Sequence, residues 1–184
     1  KAEDLSRREE TEEARDLFQQ ASNLFIDAEK SIKAALGKIE NEDEKENAAE
    51  LIKASSIRRE YCLGRITLEE AKILDRKGIH VASSREYGSS AKIFQNVSDD
   101  MEEESDRQEL KPITYLSRAW QAMTRAEAEL SPNLYLEASK LFDEAKEYSF
   151  DENTKALALG NSSFCKALEA GARYEATRDM TMYS

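Results

Sequence analysis

The chain has 184 residues, of which 40% are hydrophobic, so it is long enough and apolar enough to bury a core as a single domain over 1–184. Its net charge of −11 argues against a nucleic-acid-binding protein, because affinity for phosphates depends on clustered lysines and arginines. Only six glycines and two prolines occur, and no apolar stretch approaches the roughly 20 residues that span a bilayer, so we expect an all-α, cytoplasmic protein.

The amino-terminal third predicts two long helices with an acidic turn between them. The first covers 4–36 and ends at Gly37, a residue type that often stops helices. The segment 39–47 carries five acidic side chains and is expected to be a solvated turn. A second helix is predicted over 46–65.

Two capping boxes predict where the next two helices begin. In a capping box, a Ser or Thr and a Glu three residues later satisfy free backbone N–H groups at a helix start. Thr67 and Glu70 predict a short third helix that Gly78 ends. Ser83 and Glu86 predict a fourth.

The carboxyl-terminal half predicts three more helices. The acidic segment 98–108 is either a flexible connector or the exposed first turns of the fifth helix. Pro112 either opens or kinks that fifth helix. Ser131 predicts the N-cap of a sixth helix over 132–148, and Asp151 begins the last. The sequence thus predicts seven helices.

A helical motif occurs three times. In each copy an aromatic residue is followed by a small one at +3, an aromatic at +7 and a small or β-branched one at +10, so that all four share one helix face. The copies are Phe18, Ala21, Phe25 and Ala28; Tyr87, Ser90, Phe94 and Val97; and Tyr135, Ala138, Phe142 and Ala145. Rings on one helix can fill the gaps beside small residues on its neighbour, so the motif predicts stacked antiparallel helical hairpins.

The third copy resembles the tetratricopeptide repeat. Counted from Tyr135, the Leu-Gly pair that opens the next repeat in that family falls on Leu159 and Gly160, and Asn161 and Phe164 continue the pattern. The other two copies lack this pair, so the chain is similar to divergent, long-helix relatives, among them SNAP-type adaptors and uncharacterised archaeal helical-repeat proteins. The resemblance implies a right-handed superhelix whose concave surface binds a partner's peptide or helix.

A basic strip supplies most of the candidate partner-binding residues. Segment 53–77 has a net charge of +3 within this acidic chain. Arg58 and Arg65 share a helix face with Tyr61, and Arg59 lies beside them. Such a strip could receive an acidic or phosphorylated peptide or anionic lipid. The alternative is a solvated face paired with the acidic segments.

The resemblance adds Asn161 to the candidate partner-binding residues. Some members of the family hold a terminal carboxylate with a clamp of Lys, Asn and Arg, and Asn161 matches one clamp residue. Leu157 stands where those members place a lysine. The alternative for Asn161 is a packing or solvent-facing role.

No constellation in the sequence predicts catalysis, a cofactor or a metal ion. The single His80 follows Lys77 rather than a glutamate at the di-iron spacing, and the two cysteines are far apart. Phosphate-binding loops and nucleophile elbows do not occur. We expect His80 to be structural or exposed, Cys62 and Cys165 to be buried thiols, and Trp120 to lie in the core.

The leading interpretation is therefore a non-enzymatic interaction scaffold with a protein or peptide partner. Two alternatives remain: an accessory helical domain of an enzyme, and a membrane-peripheral adaptor of the SNAP type. No further helix follows to cover the last helix, near 171–184, so either the chain is a fragment or this helix forms a homo-oligomer interface.

Overall fold

The computed structural model describes residues 1–177, and its regular structure there is entirely α-helical. The helices are α1 (Ala2–Arg7), α2 (Thr11–Leu36), α3 (Glu42–Arg76), α4 (His80–Asp100), α5 (Glu104–Glu129), α6 (Pro132–Tyr148) and α7 (Glu152–Thr177). Each helix from α2 onward packs on the next, and α1 packs on α2. The prediction of an all-α stack of helical hairpins is confirmed. None of these helices is both long and apolar enough to cross a bilayer.

The repeated motif marks the helices that lie between two neighbours. All four positions are buried in the second copy, on α4, and in the third, on α6. In the first copy, on α2, only Phe18 is buried and Ala28 is exposed. The distal half of α2 packs against α3 alone, because α1 is six residues long. The motif therefore predicts burial only where a second helix covers it.

A glycine lets α4 lie close against α3. A Cβ atom added to Gly64 would lie 2.8 Å from Cε1 of Phe94, which is fully buried. The Gly64 carbonyl accepts a hydrogen bond of 3.0 Å from the Ser90 hydroxyl. Two residues of the second motif copy thus meet one backbone position on α3.

The first predicted helix, 4–36, is confirmed from Thr11 to its end at Leu36, but its start is wrong because the chain turns at Glu9. Glu9 has a φ of 62°, which a non-glycine residue adopts only when its surroundings stabilise it. Arg76 Nη1 donates hydrogen bonds to the Glu9 carbonyl, at 2.9 Å, and to Thr11 Oγ1, at 3.1 Å. This long-range clamp separates α1 from α2.

The two predicted capping boxes are also wrong. Thr67 lies inside α3, which runs unbroken across the second and third predicted helices, and its hydroxyl donates to the Leu63 carbonyl. The Ser83 hydroxyl donates to the Ala71 carbonyl of α3, and α4 begins earlier, at His80. Hydroxyls can bond to a preceding or neighbouring carbonyl as well as to a free N–H, so the pattern alone does not identify a cap.

Several local predictions hold. Gly78 ends α3 with a φ of +70°, a conformation that favours glycine. Pro132 occupies the start of α6.

Of the predicted connector 98–108, only Met101 to Glu103 lie outside helices, so most of it belongs to α4 and α5. Pro112 lies inside α5 rather than at its start.

Candidate functional site

The predicted basic strip does not form one exposed surface. Arg58 is exposed on α3. Arg59 pairs with Glu29 of α2 at 3.2 Å and with Glu60 at 3.0 Å. Arg65 and Tyr61, one or two turns further along α3, are instead covered by α1. Partner binding by Arg58 and Arg59 stays a prediction.

Arg65 is held in an enclosed site between three helices. Only 8% of its side chain is exposed. Its guanidinium lies 4.8 Å from the ring centre of Phe18 on α2 and pairs with Glu3 of α1 at 2.6 Å. The Tyr61 hydroxyl donates to the same carboxylate at 2.7 Å. These contacts give Arg65 and Tyr61 an internal structural role.

The deepest charge in this region is Glu69, whose side chain is fully buried. It accepts a 2.5 Å hydrogen bond from the Ser6 hydroxyl and pairs with Lys72 at 3.0 Å. Arg65 also donates to Ser6, at 2.8 Å. Burial lowers the pKa of Lys72, although the Glu69 charge opposes that shift. We call the set formed by α1 and α3 side chains the α1 network: Glu3, Ser6, Tyr61, Arg65, Glu69 and Lys72.

Nothing local in the sequence indicates the α1 network. Ser6 and Glu69 are 63 residues apart, so no local sequence pattern connects them. A buried carboxylate needs partners, but which acidic residue is buried depends on tertiary packing.

The last helix presents a face that no other described helix covers. α7 packs on α6 through Ala158, Ser162 and Cys165, which are fully buried. The residues on the far side are small and exposed, and two large apolar side chains flank them. We call this set the outer face of α7: Ala156, Leu157, Gly160, Ser163, Phe164 and Ala167. Leu157 is 45% exposed and Phe164 is 53% exposed.

Gly160 lies at the centre of the outer face of α7. A Cβ atom added to it would meet no other heavy atom within 4 Å. Asn161, the predicted clamp residue, is half-buried next to this face, and its amide donates to the Leu157 carbonyl at 2.9 Å within the same helix. A role for Asn161 in binding a carboxylate stays a prediction. Of the predicted interface near 171–184, residues 178–184 lie outside the described part of the chain.

Three helix ends bring potential metal ligands together. Asp75 lies in the last turn of α3, His80 begins α4 and Glu127 lies in the last turn of α5. His80 Nδ1 is 3.4 Å from Asp75 Oδ1 and 3.0 Å from Glu127 Oε2. All three side chains are partly buried. The three residues come from different helices, so local spacings around His80 do not indicate this group.

The remaining candidates are core residues. Trp120 packs against Tyr87, with ring centres 5.7 Å apart, and edge-on against Phe142 at 6.1 Å. Cys62 and Cys165 are buried free thiols, and burial raises the pKa of both. The predicted burial of both thiols is confirmed, and Trp120 is partly buried and packs against the core.

Comparison with known proteins identifies no relative of this chain. No protein-family model matches the chain, and no curated protein or solved structure is significantly similar to it. What the fold and the packing establish is an all-helical stack of seven described helices that is compatible with a helical-repeat architecture.

Proposed function

We propose that this chain is a non-enzymatic scaffold that binds a helix of a partner protein on the outer face of α7. The observation that supports this most directly is the exposure of Leu157 and Phe164 beside a row of small residues. Contiguous exposed apolar surface is uncommon on a monomeric protein and often marks a binding site.

The shape of the outer face of α7 suits a helix. Ala156, Gly160, Ser163 and Ala167 recur at spacings of three and four, and so form a shallow groove along the helix axis. Ridges of side chains on one helix pack into such grooves on another at axis separations of about 8–10 Å. Leu157 and Phe164 then offer apolar contacts along one side of the groove, as in other complexes that seat a helix.

A likeness to tetratricopeptide repeats is part of this proposal, and the packing of the third motif copy supports it. The third motif copy is buried between α5 and α7, in the manner expected of a repeat that stacks on its neighbours. In a stack of this kind, α7 would receive another helix on its outer side. We infer that a partner's helix takes that position.

A photo-crosslinking amino acid at position 164 tests the proposal in cells that express the chain. We expect a discrete crosslinked partner protein, which is then identified by mass spectrometry and purified. Its binding to the purified chain should be lost in a Gly160→Arg variant, because a long side chain would fill the groove. The open space at Gly160 should let this variant fold normally.

The matched control is the same crosslinker at Leu159, which is 52% exposed but lies on the opposite flank of α7. Equal crosslinking from both positions, or undiminished binding by Gly160→Arg, would contradict the proposal. A crosslink to a second copy of this chain would show that the outer face of α7 forms a homo-oligomer and does not bind a different protein. Light scattering over a concentration series would then measure the size of that oligomer.

A further inference from the structure

The cluster formed by Asp75, His80 and Glu127 has the composition of a metal site. It offers one imidazole nitrogen and two carboxylates from three different helices, and the three ligand atoms lie within 4.8 Å of one another. Mixed nitrogen and oxygen ligands suit divalent first-row transition metals, whereas Mg²⁺ and Ca²⁺ prefer oxygen alone. We propose that Asp75, His80 and Glu127 bind one divalent transition-metal ion of the Zn²⁺ type.

The imidazole nitrogen that faces the carboxylates lacks a partner. His80 Nδ1 is buried and has no hydrogen-bond partner among the described residues, although oxygens of Asp75 and Glu127 lie 3.4 Å and 3.0 Å away. Buried polar atoms without a partner are rare in folded proteins. A metal ion between the three side chains would accept the lone pair of that nitrogen.

The local electrostatics favour a cation at this position. Asp75 and Glu127 bring two carboxylates to the same imidazole, with oxygens 3.4 Å and 3.0 Å from His80 Nδ1. The carboxyl-terminal ends of α3 and α5 add partial negative charge near the cluster.

The cluster also has rigid support. The Ser83 hydroxyl of α4 donates to the Ala71 carbonyl of α3, and the Ser84 hydroxyl donates to the Gln121 carbonyl of α5. These bonds fix the start of α4 against both neighbours. Bonds of about 2.1 Å in a tetrahedral site place ligand atoms about 3.4 Å apart, so only small side-chain rotations are needed.

Isothermal titration of the tag-free chain with Zn²⁺, and a parallel titration with Co²⁺ followed by absorption, tests this site. We expect one ion per chain and a Co²⁺ spectrum without a thiolate charge-transfer band. Excess Mg²⁺ should not displace Zn²⁺. His80→Ala and Glu127→Gln should each weaken Zn²⁺ binding at least about tenfold, since loss of even an outer-shell partner costs that much.

The matched control is Glu129→Gln, which removes an exposed carboxylate from the same last turn of α5 and should leave Zn²⁺ affinity unchanged. Far-ultraviolet circular dichroism of each metal-free variant checks that it folds. If His80→Ala fails to fold, Glu127→Gln still tests the site, because glutamine has nearly the same size as glutamate. Absence of Zn²⁺ and Co²⁺ binding by the unaltered chain would overturn the proposal. So would undiminished binding in both ligand variants, or a thiolate band that places the ion at a cysteine.

Discussion

The two described ends of the helical stack differ in whether the outer helix is held by buried contacts or leaves a face exposed. At the amino-terminal end, the short helix α1 folds over α2 and α3 and is held there by the α1 network around the buried carboxylate of Glu69. At the other described end, α7 packs through one face and leaves Phe164 and Gly160 open on the other.

The difference shows that a helix at an end of the described stack can either cover its neighbours or leave one of its own faces exposed. A buried charge is tolerated only when its partners hold a single geometry, so the α1 network specifies one arrangement of α1. Small and apolar side chains need no directional partner, so the outer face of α7 can receive another helix without rearrangement. We therefore expect substitutions to destabilise the chain at the first end and to be tolerated on the outer face of α7.

The largest effect is expected from Glu69→Ala. This change leaves Lys72 and Arg65 without their buried counter-charge, and we expect the free energy of unfolding to fall by about 4 kcal/mol. Urea unfolding followed by circular dichroism measures it. Glu70→Ala is the control, because the neighbouring carboxylate is exposed and its loss should change that free energy by less than about 0.5 kcal/mol. Equal losses in both variants would show that the α1 network does not close this end.

Because Cys165 lies on the buried side of α7, we expect the chain to lose stability at alkaline pH. Burial raises the pKa of the Cys165 thiol from its ordinary 9.0 to about 11. The folded chain therefore keeps a proton that the unfolded chain loses, so this contribution to the unfolding free energy falls as pH rises from 9 to 11. The total decrease is about 2 kcal/mol.

Cys165→Ala isolates this contribution. The variant is less stable at neutral pH because of the cavity it leaves, but its deficit relative to the unaltered chain should shrink between pH 9 and pH 11. Urea unfolding at a series of pH values measures the two free energies. A deficit that stays constant with pH would mean that the inner side of α7 is not sealed from water.

Identical Gly→Ala changes at two helices compare a covered face with an open one. Gly64→Ala places a Cβ atom against Phe94, and we expect the free energy of unfolding to fall by about 2 kcal/mol. Gly160→Ala meets nothing and should raise the same quantity by about 0.5 kcal/mol, through helix propensity alone. Thermal unfolding distinguishes the two signs. A loss of stability at Gly160 would indicate that its face is already covered.

Among the variants expected to lose stability, the smallest loss is expected from Phe164→Ser. About half of this ring already contacts water, so its removal should lower the unfolding free energy by less than about 1 kcal/mol. A buried phenylalanine typically costs about 4 kcal/mol when truncated. A loss of that size, measured by urea unfolding, would mean that Phe164 serves the fold rather than a partner.

Local signals in the sequence predicted most of the helices and parts of the core. The motif residues from Tyr87 to Val97 and from Tyr135 to Ala145 are buried as expected, and Gly78 and Pro132 mark real helix ends. Thr67 misled the prediction because a threonine hydroxyl serves equally well inside a helix. The prediction missed the break at Glu9 because its stabilising partner, Arg76, is 67 residues away.

The candidate sites were less predictable than the fold. Arg65 and Tyr61 looked like surface residues of a basic strip, and nothing near them in the sequence signals that α1 covers them. Asp75, His80 and Glu127 come from three helix ends, so their meeting is a property of the packed stack. Spacing rules find ligands on one helix but not ligands that converge from several.

The amino-acid sequence alone specifies the helical class, the aromatic and small residues that pack the inner helices, and several helix ends. These depend on interactions within a few turns, which the order of residues records directly. In contrast, the burial of particular charges, the exposure of one face of α7 and the meeting of helix ends at His80 follow from the packing of the helices. Those outcomes depend on contacts between residues distant in the chain, and the same side chain can be buried or exposed according to what packs against it.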